Sequence, residues 1–192
     1  MENIRAFIAI ELPREIRDYL SRLQSPFKKQ FNSQVKWANP QSIHLTLSFL
    51  GNISAESTGH IEAAMHTATA NIKPFVLEIT GTGVFPNPSR TRIVWAGVGG
   101  DTGELKRLQH AVEQSLVPHG FIAEKRGFSP HLTLGRVRET ATTEERRALG
   151  AHAISLQVEG KHVFPVRALS LMRSRLEPTG AVYSRIASVE LR

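Results

Sequence analysis

The sequence predicts an α+β protein of two lobes, each a curved antiparallel sheet with outer helices, facing across a central cleft. Three observations carry this expectation. The tetrapeptide His-Leu-Thr-Leu stands at residues 44–47 and again at residues 131–134, a separation of 131 − 44 = 87. The same offset aligns Arg5 with Arg92, Ala9 with Ala96, Ser42 with Ser129 and Val76 with Val163. Both copies open with a strand-like run, RAFIAI and RIVWAGV, and continue into an amphipathic helix. Two copies at so long a period mean a duplicated βαβ-like unit rather than a solenoid. The repeat spans about residues 5–80 and 92–165 of a single bilobal domain, residues 1–192.

Each element follows from local pattern. Leu12-Pro13 closes the first strand, and Pro13 suits the first turn of the helix after it. Ile16, Tyr19, Leu23 and Phe27 recur at helical spacing there, and Pro26 is expected to break or kink that helix late. Val35-Lys36-Trp37 reads as a short strand and Asn39-Pro40 as a turn. A strand from Ile43 to Leu50 carries the first tetrapeptide, with Gly51-Asn52 as its stop, and Ser54 caps a helix through about Ala70. Phe75 to Ile79 alternates as a strand, and residues 81–88 read as a turn-rich connector. In the second copy Asp101 or Thr102 caps a helix bearing Leu105, Leu108, Val112 and Leu116, which stops near Pro118-His119-Gly120. Lys125-Arg126-Gly127 leads into the second tetrapeptide, and Thr142 with Glu145 has capping-box spacing. Strands are expected at residues 155–159, 166–171 and 181–189, the last two joined as a hairpin by Pro178-Thr179-Gly180.

The whole chain narrows the classes of function. With 192 residues, 41% of them hydrophobic, it can bury a core. It has no apolar run of membrane-spanning length and no signal-peptide pattern at its start. It contains no cysteine, which excludes disulfides, thiol nucleophiles and Cys-based zinc sites and fits a cytoplasmic protein. A net charge of +7 favours polyanionic partners, nucleic acid above all, although no dense basic run stands out. There is no HExxH, Rossmann or P-loop signature.

In a strand, residues i and i+2 share a face. Each tetrapeptide therefore puts two leucines on one side and a histidine and a threonine on the other. Two facing imidazoles, one neutral and one protonated, suit in-line displacement at phosphorus: one takes a proton from the attacking oxygen, and the other gives one to the leaving oxygen. Threonine hydroxyls can hold the non-bridging oxygens. The candidate site residues are thus His44, Thr46, His131 and Thr133, with Phe7 and Arg136 as further candidate substrate contacts. Phe7 has core packing as its alternative, and strict alternation puts Arg136 on the leucine face. Trp37 and Trp95 read as core residues. His60, His66, His110, His119, His152 and His162 read as surface residues.

The stretches RAFIAIELP, HLTLSFLG, GVFPNPSRTRIVWAGV, FSPHLTLGRV and LMRSRLEPTGAVYSRI together resemble the 2H phosphoesterase superfamily. Within it, the full pattern resembles the RNA 2′,3′-cyclic phosphodiesterase branch, formerly called 2′-5′ RNA ligase, and the resemblance covers essentially the whole chain. That resemblance implies a LigT-like bilobal fold, no metal or other cofactor, and hydrolysis of RNA 2′,3′-cyclic phosphate ends to a 2′-phosphate. It also implies His44 as proton donor, His131 as proton acceptor, and Thr46 and Thr133 as phosphate ligands. A soluble monomer without membrane association is expected. Two alternatives stand beside this reading: a phosphodiesterase on small cyclic nucleotides or 2′,5′-linked oligonucleotides, and a non-catalytic module that binds RNA ends.

Overall fold

The computed structural model of the chain describes residues 3–122, 127–177 and 180–192. Its elements run β1 (Asn3–Glu11), α1 (Arg14–Phe31), β2 (Val35–Trp37), β3 (His44–Ser54), α2 (Thr58–Thr69), β4 (Phe75–Phe85) and β5 (Ile93–Gly100). They continue with α3 (Thr102–Leu116), β6 (His131–Val137), α4 (Thr143–Ser155), β7 (Val163–Val166), β8 (Ala168–Glu177) and β9 (Gly180–Glu190). The strands form two antiparallel sheets, ordered β3-β1-β8-β9 and β2-β6-β5-β4-β7.

The duplication shows in the pairing. β1 lies against β3 in the first sheet as β5 lies against β6 in the second. The copies also exchange strands: β4, from the first, pairs with β5, and β8, which follows the second, pairs with β1. The helices are exchanged too. α1 packs on the second sheet, with Phe27 5.6 Å from Trp37, while α2 and α3 pack together against the first. One hydrophobic core consequently runs through both sheets and contains Leu45, Leu47, Leu132 and Leu134.

The apolar helical spacing does what it predicts. Ile16, Tyr19, Leu20, Leu23 and Phe27 of α1 are buried, as are Leu105, Leu108, Val112 and Leu116 of α3. Pro13 stands just before α1, and α4 carries the full Thr142–Glu145 capping box. Several boundaries differ from expectation. α1 continues through Pro26 to Phe31. β3 continues past Gly51, whose φ of +71° suits a residue without Cβ, and pairs on to Ser54. Ser54 caps a 3₁₀ turn, Ala55–Ser57, that leads into α2.

The residues read as a connector after Ile79 are strand. β4 runs to Phe85, and its Gly83 accommodates the neighbouring strand, since a Cβ there would collide with the Trp95 ring. Asp101 precedes α3 but makes no cap to it; its carboxylate instead accepts from the Val76 N–H. Residues 156–159 are not a strand, because α4 occupies the chain to Ser155 and an irregular segment follows. Lys125, Arg126, Pro178 and Thr179 lie outside the described residues, while the antiparallel pairing of β8 with β9 stands.

Candidate active site

Both tetrapeptides lie in strands with the expected alternation. Leu45, Leu47, Leu132 and Leu134 are buried, and His44, Thr46, His131 and Thr133 are half-buried on the opposite face. β3 is an edge strand of the first sheet. β6 is flanked by β2 along Gly135, Arg136 and Val137, so among the described residues its His131 end has no strand on that side. The two motif strands come alongside each other where the sheets meet. Their leucines share one core, and their histidines and threonines open onto the cleft.

The imidazoles are held alike. His44 Nδ1 lies 2.9 Å from the Ser42 carbonyl oxygen, and His131 Nδ1 lies 2.7 Å from that of Ser129. A carbonyl only accepts, so each Nδ1 carries the proton and donates it. Each Nε2 is then the atom left to accept or deliver a proton. The aligned Ser42 and Ser129 thus serve through their backbone.

Their surroundings differ. The Phe7 ring stacks on His44 with centroids 4.5 Å apart, and Tyr183 meets it edge-on at 4.9 Å. Burial there pulls the His44 pKa below the usual imidazole range, opposed by the Ser42 carbonyl and the Glu11 carboxylate. Glu11 stands directly opposite His44 across the β1–β3 ladder. Arg185 holds it with two hydrogen bonds, Nε to Oε1 at 2.6 Å and Nη2 to Oε2 at 3.0 Å, and the Ser170 hydroxyl donates to the same Oε1. The Arg185 hydrogen bonds, against burial, hold the Glu11 carboxyl below its ordinary range. At His131 the Phe85 ring meets the imidazole edge-on at 4.9 Å, and the residue opposite across the ladder is Gly97.

A β-bulge brings Arg136 to the cleft. Thr133 pairs with Trp95 and Arg136 with Ile93, so Leu134 lies in a bulge and has no direct partner on β5. Trp95 and Ile93, two residues apart, share a face, and paired residues share it with them. Arg136 therefore lies on the face of His131 and Thr133, off the leucine side where alternation alone would put it. The Leu134 carbonyl, out of register with β5, accepts from the Ala38 N–H and from the Gln24 amide, both at 2.9 Å. The first copy bulges at the equivalent Leu47, and Phe49 faces the cleft opposite Phe7.

Phe49 and Arg136 therefore occupy matching places, and the offset of 87 links them in the sequence (136 − 49). Sequence reasoning missed Phe49. Its ring is 66% exposed, whereas Phe7 is 3% exposed and has one ring face covered by His44. Glu11 was missed too, although it is the one charged residue after the apolar run of RAFIAI. Trp95 lies over Gly83 beside Phe85, and Trp37 packs against the core. Of the remaining histidines, His152 packs between Phe27 and Phe31 and His162 against Tyr19, while the exposed His60 and His119 stack on each other with centroids 5.7 Å apart. A cavity of about 270 Å³ opens beside Phe49, between Leu50, Phe121 and Ile122, and neither motif histidine lines it. Among the described residues, no three His, Asp or Glu side chains are grouped to hold a metal ion.

A family model described as LigT-like phosphoesterase matches residues 10–95 and again residues 99–183, one tetrapeptide in each segment. The chain belongs to this family. A relative in Methanothermobacter thermautotrophicus, named RNA 2′,3′-cyclic phosphodiesterase, is 35% identical over 95% of this chain and 96% of its own. Another of that name, in Archaeoglobus fulgidus, is 32% identical over 97% and 100%. Among solved structures, TT0787 of Thermus thermophilus superposes with a TM-score of 0.81 at 29% identity, covering 98% of both chains. E. coli LigT complexed with 3′-AMP gives 0.78 at 25% identity, covering 99% of both. The 2H phosphoesterase fold read from the sequence, two antiparallel sheets built on a duplicated unit, is the fold of this LigT-like chain.

Proposed function

We propose that the protein hydrolyses RNA 2′,3′-cyclic phosphate ends to 2′-phosphates by acid–base catalysis between His44 and His131. One observation carries the reading: two half-buried histidines on adjoining strands, each with Nδ1–H tied to a backbone carbonyl and each beside a threonine. A fixed tautomer leaves both Nε2 atoms for the phosphate, where one can accept and one can donate. Water attacks phosphorus opposite the 3′ oxygen. His131 Nε2 takes the water proton, the bond from phosphorus to the 3′ oxygen breaks, and His44 Nε2–H protonates the departing 3′ oxygen. The identically named relatives support this substrate, and the assignment of donor and acceptor follows the family resemblance.

Thr46 and Thr133 would donate to the non-bridging oxygens, and Arg136, brought to the same face by the Leu134 bulge, would add a charged donor. Phe49 offers the open ring face that a terminal base could stack on, and Phe7 instead forms the wall behind His44. The chain has no run of apolar residues long enough, among the described helices, to cross a membrane. A cytoplasmic monomer acting on RNA is the corresponding cellular reading.

The test is product analysis of a short RNA bearing a 2′,3′-cyclic phosphate. A 2′-phosphomonoester should form, with EDTA making no difference. His44→Ala and His131→Ala should each lose on the order of 10²–10⁴-fold in turnover. Retention of the cyclic phosphate with tight RNA binding would instead identify a module that holds ends.

A further inference from the structure

The two motifs are identical, yet their histidines face different cross-strand neighbours. β1 and β5 are the equivalent partner strands, and each places one residue directly opposite the histidine: Glu11 opposite His44, and Gly97 opposite His131. Directly opposed side chains in an antiparallel pair are about 4.5–5.5 Å apart at Cβ. A carboxylate therefore sits beside one imidazole. The matching place beside the other holds no side chain of its own and is occupied by Thr80, whose Oγ1 would collide with a Cβ on Gly97.

The other groups around His44 are mostly uncharged. Phe7 covers one ring face from β1, Tyr183 meets the ring edge from β9, and Met172 completes the small apolar cluster from β8. Arg185 from β9 and Ser170 from β8 both bind the Glu11 carboxylate, and Arg17 from α1 adds a more distant positive charge to it. His131 lies on the adjoining motif strand. Apolar walls disfavour an imidazolium, and a carboxylate at this distance favours one. Arg185 limits how much of that negative charge His44 feels.

We propose that Glu11 and Arg185 form a positioning pair that sets the protonation of His44, offsetting the burial that disfavours its charge and so favouring the proton-donor form, while His131, with Gly97 rather than a carboxylate opposite it, serves as acceptor. Glu11 supplies the compensating charge, and Arg185 fixes the carboxylate on the His44 side and moderates it. The pair makes two chemically identical motifs unequal. This inference rests on the hydrolytic reading above for the donor role, but its charge-setting part can be measured without turnover.

The experiment titrates the imidazole C–H signals of the full-length protein by NMR, with His44 and His131 assigned by substitution. The same variants are followed through pH–rate profiles on a 2′,3′-cyclic mononucleotide. Glu11→Gln removes the anion and leaves the cation, so His44 should lose its proton at a pH lower by about half a unit to one unit. Arg185→Gln exposes the anion and should move His44 the opposite way. Arg185→Lys, which keeps the charge, should return it toward the parent value. His131 should move much less in all three.

In the rate profiles the alkaline limb, where the donor is lost, should follow His44 in both directions. Shifts of His44 in one common direction, or none in folded variants, would overturn the inference. So would a displaced acidic limb with the alkaline limb unmoved. An inactive parent protein whose His44 still shifts in opposite directions would reject the hydrolytic reading and leave the charge-setting pair in place.

Discussion

At the scale of single residues, identical chemistry is given unequal settings. His44 is enclosed by Phe7 and Tyr183 and faces a carboxylate; His131 meets the Phe85 ring at right angles and faces a glycine. A proton donor matters most when the leaving oxygen is a poor leaving group. Nitrophenolate departs readily without a proton. With a nitrophenyl phosphodiester that the cleft accepts, His44→Ala should regain most of the activity it loses on the cyclic phosphate, while His131→Ala stays poor. Rescue of His131→Ala instead would exchange the two roles, and equal deficits on both substrates would mean that the histidines mainly hold the phosphate.

At the scale of elements, the bulge in β6 is the feature on which the cleft depends. It costs the ladder a partner at Leu134, and Gln24 helps to replace it. The buried Gln24 amide donates to both the Leu134 and Ala38 carbonyls at 2.9 Å, and its oxygen accepts from Lys28 at 2.8 Å. Gln24→Leu keeps the volume roughly but removes these bonds. Leu134 retains the Ala38 N–H, whereas the Ala38 carbonyl loses the amide. Leaving this part-buried acceptor under-satisfied costs about 1 kcal/mol, so stability should fall. Denaturant unfolding should show a lower midpoint by a corresponding amount. Unchanged stability would mean that the bulge is held by strand pairing alone. If Arg136 depends on this geometry, the same variant should also weaken phosphate binding.

At the scale of the molecule, the exchange of strands gives both lobes a common core while leaving a cationic cleft. Arg5 on β1, Lys36 on β2 and Arg136 on β6 are exposed, and their pairing partners place them on the cleft faces of the sheets. Within a net charge of +7, such a distribution should capture single-stranded RNA by releasing counterions. Affinity for a long cyclic-phosphate RNA should fall steeply with salt, and that for a cyclic mononucleotide should be nearly flat. Arg136→Gln should reduce the slope for RNA by about 1 if it meets a phosphate. Equal slopes for the two ligands would show that charge beyond the reactive phosphate plays no part in capture.

Much of this was legible in the sequence. The period of two that separates His and Thr from Leu is a property of the extended backbone, and it holds in both motifs. The helical spacing of Leu105, Leu108, Val112 and Leu116, and the Thr142–Glu145 cap, are equally local. What pairs with what is not local. The offset of 87 aligns Ala9 with Ala96, yet Ala9 lies opposite Thr46 while Trp95 lies opposite Thr133, so the two partner strands are shifted by one residue relative to each other. The sequence by itself determined two copies of a His–Thr face backed by leucines. Only the tertiary structure decided that Glu11 stands beside one histidine and Gly97 beside the other, and that Phe49 and Arg136 turn into the cleft. Side-chain alternation follows from one strand's own geometry, whereas register, bulges and cross-strand neighbours are set when strands distant in sequence pack together.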